Sequence, residues 1–368
     1  MSKDYLAGEK PFERILLRKE DFWEAREIRR LPSTRIESVD PKTRELVDAD
    51  GETIRYGTLI WATGGDPRRM PCGSDVGLAG VHAIRTHSDV QLLKSELDDV
   101  ERIVVVGGGY IGLEAAAVLV KMGKHVTVIE AADRVLARVA GEPLSRFYEE
   151  RHRAAGVNFL LATMTDCLEG RDHRVSGVRL DSGESLPADM VIVGIGIVPA
   201  VEPLLACGIK GTNGVKVDAQ CRTSDEHIFA IGDCALHENA YADGAEIRLE
   251  SVQNANDMAN VAAKTICGQD VAYDALPWFW SNQYDLKLQT AGLSIGYDQT
   301  VLRGDPASGK FSLLYLKGGR LIALDAVNRP ADFIQAQKLI RHVRETGDML
   351  DPADLADTET PLKTLIPT

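Results

Sequence analysis

The hexapeptide Gly107-Gly108-Gly109-Tyr110-Ile111-Gly112 narrows the fold of this 368-residue chain more than any other feature. Arg102 to Val106 before it is a short apolar strand, and Leu113 to Met122 after it reads as a helix. Gly123 ends the helix, and His125 to Ile129 is the next strand. Strand, G-x-G-x-x-G turn, helix and strand make a complete βαβ unit of the dinucleotide-binding kind. Gly107 permits the tight turn, Gly109 lets backbone approach a pyrophosphate, and Gly112 lets the helix pack close to the sheet. The helix N-terminus adds N–H groups and positive potential. Glu130 closes the second strand, where a carboxylate accepts hydrogen bonds from ribose hydroxyls and repels a 2′-phosphate. Ala131 and Ala132 follow, so no arginine directly offsets it, and the pattern points to NAD(H) rather than NADP(H).

This unit lies in the middle of the chain. The residues before it have strand and turn character without a glycine fingerprint. Arg35 to Val39 is strand-like, Asp50-Gly51 reads as a hairpin turn, and Leu59 to Thr63 is a buried strand running into Gly64-Gly65. Residues 88–98 have helical spacing. Further on, Met190 to Ile195 and Ile228 to Ile231 are apolar strands, residues 250–267 and 330–346 are helix-like, and an aromatic, strand-rich texture begins near 277. The tail from 350 is acidic and proline-containing, and is expected to be loosely held.

Composition excludes several classes. Apolar residues at 44% and charged residues at 26% describe a globular chain, not a disordered one. A net charge of −13 repels nucleic acid and anionic lipid. No apolar run has the length of a membrane span, and the first ten residues lack a signal-peptide core, so a cytoplasmic protein is expected. The six cysteines, at 72, 167, 207, 221, 234 and 267, form no Cys-x-x-Cys pair and no metal-ligand spacing. They read as reduced thiols, and no metal site is expected.

Two further segments carry a resemblance. Ala62-Thr63-Gly64, after its strand, is similar to the ATG segment of two-dinucleotide flavoproteins. Ile231-Gly232-Asp233 resembles their second FAD motif. The order of first FAD part, NAD unit and second FAD part is that of the pyridine nucleotide-disulfide oxidoreductase superfamily. Within it, Leu249 to Ala255 and Pro277 to Asp285 resemble the FAD-dependent ferredoxin reductases of Rieske dioxygenase and cytochrome P450 systems.

The resemblance implies an α/β fold with two interleaved three-layer dinucleotide-binding domains and an α+β C-terminal domain. The implied division is 1–98 and 221–276 for FAD, 99–220 for NAD and 277–368 for the C-terminal reductase domain. It implies hydride transfer from NADH to FAD, then single electrons to a [2Fe–2S] ferredoxin feeding an oxygenase, in a monomer or homodimer. By position, Lys3 matches a lysine beside the flavin, and Glu114 an acidic residue near nicotinamide and flavin. Ile36, Arg85, Asp233 and Val252 match FAD contacts, and Arg138 matches a contact to the NAD adenosine. Ala62, Thr63, Gly64, Gly196, Gly232 and Trp278 complete the cofactor-binding set. Family members begin with an FAD fingerprint of their own ahead of the position of Lys3, and none stands in this chain. A chain truncated there is expected to leave strand edges unpaired and to fold poorly or bind FAD weakly. An acidic ferredoxin would need a basic patch, for which Arg303, Lys310, Lys317 and Arg320 are candidates.

Three other readings remain. A disulfide reductase of the same superfamily would carry Cys-x-x-Cys in the NAD unit, where only Cys167 and Cys207 stand, or a C-terminal His-Glu motif, and residues 238–340 hold no His. A truncated chain could bind NAD without turnover. A flavin-free dehydrogenase leaves Ala62-Thr63-Gly64 and Gly232-Asp233 unexplained.

Overall fold

The computed structural model describes residues 3–70 and 77–366. Cys72 lies outside them, and the five described cysteines are free thiols. The chain forms two compact units, each assembled from separate stretches. The first comprises residues 1–15, 67–197 and 280–368; the second comprises 16–66 and 198–279.

The first unit is built on a parallel five-stranded sheet in the order Val81–His82, Met190–Val193, Arg102–Val106, His125–Ile129 and Asn158–Leu160. Its strands are apolar on both faces because both are covered. Side-chain alternation sends Ile103, Val105, Val126, Val128 and Ile192 to one face, where they pack with Leu113 and Leu119 of the helix Tyr110–Lys121. Val104, Val106, Val191 and Val193 face the other way, onto Leu168, Val175, Val178 and Leu180 of an antiparallel three-stranded sheet. The helix Tyr110–Lys121 starts three residues before Leu113, because Gly109 itself is its N-cap and the helix runs through Gly112.

The C-terminal part of this unit is an antiparallel sheet in the order Trp278–Gln283, Leu286–Gly292, Arg320–Val327, Lys310–Lys317, Gln299–Asp305, covered by the helix Pro330–Thr346. Its Leu288, Phe311, Leu313 and Tyr315 join the core of the parallel sheet. Asp325 is buried beneath the Tyr315 hydroxyl, which donates to it and accepts from the Gly141 N–H at 2.8 Å. Burial pushes the Asp325 carboxyl up to about 7.

The tail departs from the sequence reading. It forms the helix Pro352–Ala356 and a short turn, Leu362–Leu365, with Leu355 and Leu362 fully buried. The cause is Arg303, which is 2% exposed. Its guanidinium pairs with buried Asp332 at 3.2 Å and donates to the carbonyls of Leu355, Asp357 and Thr360. Arg303 therefore cannot belong to a basic docking patch. Planar guanidinium with five donors suits several carbonyls at once, which lysine could not serve.

The second unit holds an antiparallel meander of Ile36–Asp40, Glu45–Asp48 and Thr53–Arg55. It also holds a parallel pair, Leu59–Trp61 with Ile228–Ala230, a four-stranded sheet, and the helix Val252–Ile266. Trp61, Ile228, Phe229, Met258 and Ala262 lie in its core. No helix among the described residues is long and apolar enough to cross a membrane.

Arg303→Ala strands a buried carboxylate and frees the tail, so it is expected to lower stability by about 3–5 kcal/mol. A urea titration and limited proteolysis across residues 350–366 check this. Asp325 supplies a pH dependence. Its folded pKa lies above its unfolded one, so the native state holds the extra proton and stability falls as pH rises from about 4 to about 7. Asp325→Asn is expected to flatten that slope in unfolding midpoints measured across the window.

Candidate active site

Each fingerprint glycine has its own physical reason. Gly107 has φ of +105°, and a Cβ there would lie 2.4 Å from the Gly194 carbonyl oxygen. A Cβ on Gly112 would lie 2.2 Å from the Gly107 carbonyl oxygen. Both are required by the chain's own packing. Gly109 differs, with an ordinary φ of −78° and nothing within 4 Å of a Cβ built on it. The fold does not demand glycine there, and the open face leaves room for a ligand to approach the backbone. The open face lies at the start of a twelve-residue helix, whose first N–H groups have no intrahelical partner. A dinucleotide pyrophosphate fits this cradle.

Glu130 ties the turn together. Its two carboxylate oxygens accept from the Gly108 N–H at 2.7 Å and the Ala132 N–H at 2.8 Å. A carboxylate has about four acceptor positions, so two remain for ribose hydroxyls. Arg138 is exposed and makes no hydrogen bond among the described residues. Gly196 has φ of +101°, and a Cβ there would meet open space.

Glu114 lies one turn into the same helix and is buried. Lys3 Nζ stands 3.0 Å from its Oε1, and the Ser281 hydroxyl donates to that oxygen at 2.6 Å. The Trp280 ring centroid is 5.8 Å from Lys3 Nζ. Lys3 is held there by its neighbours. The Tyr5 hydroxyl bonds His87 Nε2 at 2.8 Å, Lys94 Nζ donates to the Tyr5 carbonyl at 2.9 Å, and Phe12 stacks on His87. His87 and Lys94 belong to the helix His87–Glu96, which Thr86 and Asp89 cap reciprocally. Arg85 precedes that cap, half-buried, with its N–H on Asp89.

In the second unit, two parallel strands end side by side, with Trp61 in register with Ala230. Their following loops, Ala62–Gly64 and Gly232–Cys234, therefore leave from the same end of the pair, as ligand-binding loops do in α/β sheets. Trp61 Nε1 and the Thr63 hydroxyl both donate to the Ala200 carbonyl, at 2.8 and 2.7 Å. Ala62 and Thr63 are exposed. Gly232 has φ of +72°, and a Cβ there would lie 3.4 Å from Ala255 of the helix Val252–Ile266. Arg248 donates to the Asp233 carbonyl at 2.7 Å. Val252 opens the helix and is 56% exposed. Gln253 beside it accepts from the Trp278 N–H at 3.1 Å. The glycine turn, the exposed loop and the helix start suit the phosphate and ribityl part of a flavin dinucleotide. Ile36 opens the meander and packs into the same core.

Sequence reasoning missed Gly194 and Ser281. Gly194 follows the apolar strand Met190–Val193, which neighbours the fingerprint strand, so its backbone meets Gly107. Ser281 and Gln283 are polar residues at the inward positions of one strand, and that alternation was the available signal. Among the described residues no cluster of His, Cys, Asp and Glu could hold a metal.

The family model for pyridine nucleotide-disulphide oxidoreductases matches residues 1–259, and that for the reductase C-terminal domain matches residues 278–366. A ferredoxin–NAD(P)+ reductase of Sphingomonas sp. is 53% identical over 99% of this chain and 86% of its own length. Putidaredoxin reductase of Pseudomonas putida is 40% identical over 100% and 86%. The crystal structure of the ferredoxin reductase for the CYP199A2 system from Rhodopseudomonas palustris has a TM-score of 0.92 at 38% identity, covering 100% of this chain and 89% of that one. The reductase in a covalent putidaredoxin reductase–putidaredoxin complex has a TM-score of 0.93 at 39% identity, covering 99% and 87%.

Gly109→Ala is expected to leave thermal stability within about 0.5 kcal/mol of the parent while weakening NADH binding. Gly112→Ala is expected to destabilise the fold itself. Calorimetric unfolding and NADH titration of both variants separate the two roles.

Proposed function

This chain belongs to the pyridine nucleotide-disulphide oxidoreductase family and ends in the reductase C-terminal domain, and from that premise we propose that it is an NADH-dependent ferredoxin reductase. The observation that carries the reading is the ion pair between half-buried Lys3 and buried Glu114, which lies on the helix that the fingerprint turn opens. Bound FAD would accept a hydride's two electrons and release them singly.

The chain's residues bind and orient; no side-chain nucleophile is needed. Gly107, Gly109 and Gly112 shape the NADH pyrophosphate cradle, Glu130 accepts from the adenosine ribose, and Arg138 and Gly196 flank the nucleotide. Lys3 and Glu114 are the candidate catalytic residues, a pair that would orient the nicotinamide and the flavin. Ile36, Ala62, Thr63, Gly64, Gly232, Asp233, Val252 and Trp278 are the candidate FAD-binding residues of the second unit, and Arg85 is that of the first. The functional division is 1–98 and 221–276 for FAD, 99–220 for NAD and 277–368 for the C-terminal domain.

The electron acceptor in this reading is a [2Fe–2S] ferredoxin serving an oxygenase in the cytoplasm. The covalent complex of the similar putidaredoxin reductase with putidaredoxin supports that choice. A disulfide substrate is disfavoured, since the six cysteines include no Cys-x-x-Cys pair. NADH-driven reduction of an oxygenase-type [2Fe–2S] ferredoxin tests the proposal, and an inactive FAD-loaded chain contradicts it. Glu130→Ala is expected to raise KM for NADH roughly tenfold, the loss of one to two charge-assisted hydrogen bonds. The preference for NADH over NADPH narrows with it, as paired steady-state assays show.

A further inference from the structure

Glu114 ends a line of buried side chains that the reaction described above does not use. The Ser281 hydroxyl bonds its Oε1 at 2.6 Å, and Gln283 Nε2 lies 3.1 Å from the Ser281 oxygen. Gln283 Oε1 lies 2.7 Å from His152 Nε2, and the Tyr284 hydroxyl lies 2.9 Å from His152 Nδ1. His152, Ser281 and Gln283 are at most 1% exposed, whereas Tyr284 reaches the surface at 37%.

The direction of every bond follows from the carboxylate. An ionised carboxylate only accepts, so the serine proton points at Glu114. The serine oxygen is then an acceptor for the Gln283 amide N–H. That orients Gln283 Oε1 towards His152, which must carry its proton on Nε2. His152 is neutral, because burial lowers its pKa to about 4, so Nδ1 is bare and accepts from the Tyr284 hydroxyl. Every donor points towards Glu114.

Tyr284 shows that the line is maintained at a cost. It occupies the first position of the two-residue turn between Trp278–Gln283 and Leu286–Gly292, with φ of +56°. Glycine is the favoured residue at such a position, and a non-glycine there is strained. The tyrosine ring instead packs edge-on against His152 at 4.9 Å and delivers its hydroxyl.

We propose that Ser281, Gln283, His152 and Tyr284 are positioning residues: a one-way chain of hydrogen-bond donors that ends on Glu114 and fixes its carboxylate beside Lys3. An amide does not relay protons by hopping, so Gln283 makes the chain an orienting device and not a proton supply. The bonding pattern stands on the hydrogen-bond geometry and the burial of His152; its effect on turnover rests on the reductase reading.

Two measurements on the full-length FAD-loaded protein test this. Long-range ¹H–¹⁵N correlation of ¹⁵N-histidine-labelled protein reads the His152 tautomer, assigned with His152→Asn. Wild type is expected to show the Nε2–H form alone. Ser281→Ala unlocks the Gln283 amide, so an Nδ1–H population is expected to emerge. Tyr284→Phe, which keeps the ring, is expected to lower kcat for NADH-driven flavin reduction roughly tenfold at unchanged KM. An Nδ1–H wild type, a Ser281→Ala protein still wholly Nε2–H, or Tyr284→Phe at wild-type kcat each overturns the proposal. A wild-type protein with the expected tautomers but no NADH-driven reduction refutes the reductase reading and leaves the donor chain standing.

Discussion

Close backbone approach between Gly107, Gly112 and Gly194 is the constraint on which the first unit depends. A Cβ at Gly107 or Gly112 would fall within 2.4 Å of a carbonyl oxygen, far inside van der Waals contact. Without that approach the helix Tyr110–Lys121 could not lie against its strand, and Leu113 and Leu119 would leave the core they share with the parallel sheet. The same approach sets where the helix begins. It thereby sets where Gly109 opens to a ligand, and where Glu114, one turn later, meets Lys3 and Ser281.

Charge placement follows from this frame. Burying a carboxylate is tolerated only with a cation and hydrogen bonds around it. Glu114 has Lys3 and the Ser281 hydroxyl; Asp332 has Arg303, Arg329 and the Ser312 hydroxyl. The first group is built on the helix that the glycine turn opens, and the second staples the C-terminal tail. Similar physics therefore builds a candidate active centre in one place and a structural anchor in another. The difference lies in what stands beside each carboxylate: at Glu114, an open glycine turn on the same helix; at Asp332, the chain's own carbonyls through Arg303.

Local patterns carried most of the fold. The strands Arg102–Val106 and His125–Ile129 and the helix Pro330–Thr346 have the bounds their periodicity and breakers imply. The ferredoxin reductase structures confirm the α/β class with its C-terminal domain. Long-range events were less legible. The anchoring of the tail depends on one arginine in a distant strand, and no local property of residues 350–366 records it. Gly194 meets Gly107 only because two strands distant in sequence are neighbours in the sheet. The Lys3–Glu114 contact spans over a hundred residues, and the resemblance implies that both residues lie near the flavin, while the contact's third member, Ser281, needed the strand's inward face to be known.

The central claim is that this chain binds FAD and that NADH reduces it there. The most direct measurement is the visible absorbance spectrum of the purified chain with FAD kept in the buffer, taken before and after anaerobic NADH. The account predicts a flavin band that bleaches on addition of NADH much faster than that of FAD alone. Bleaching no faster than with FAD alone would contradict it.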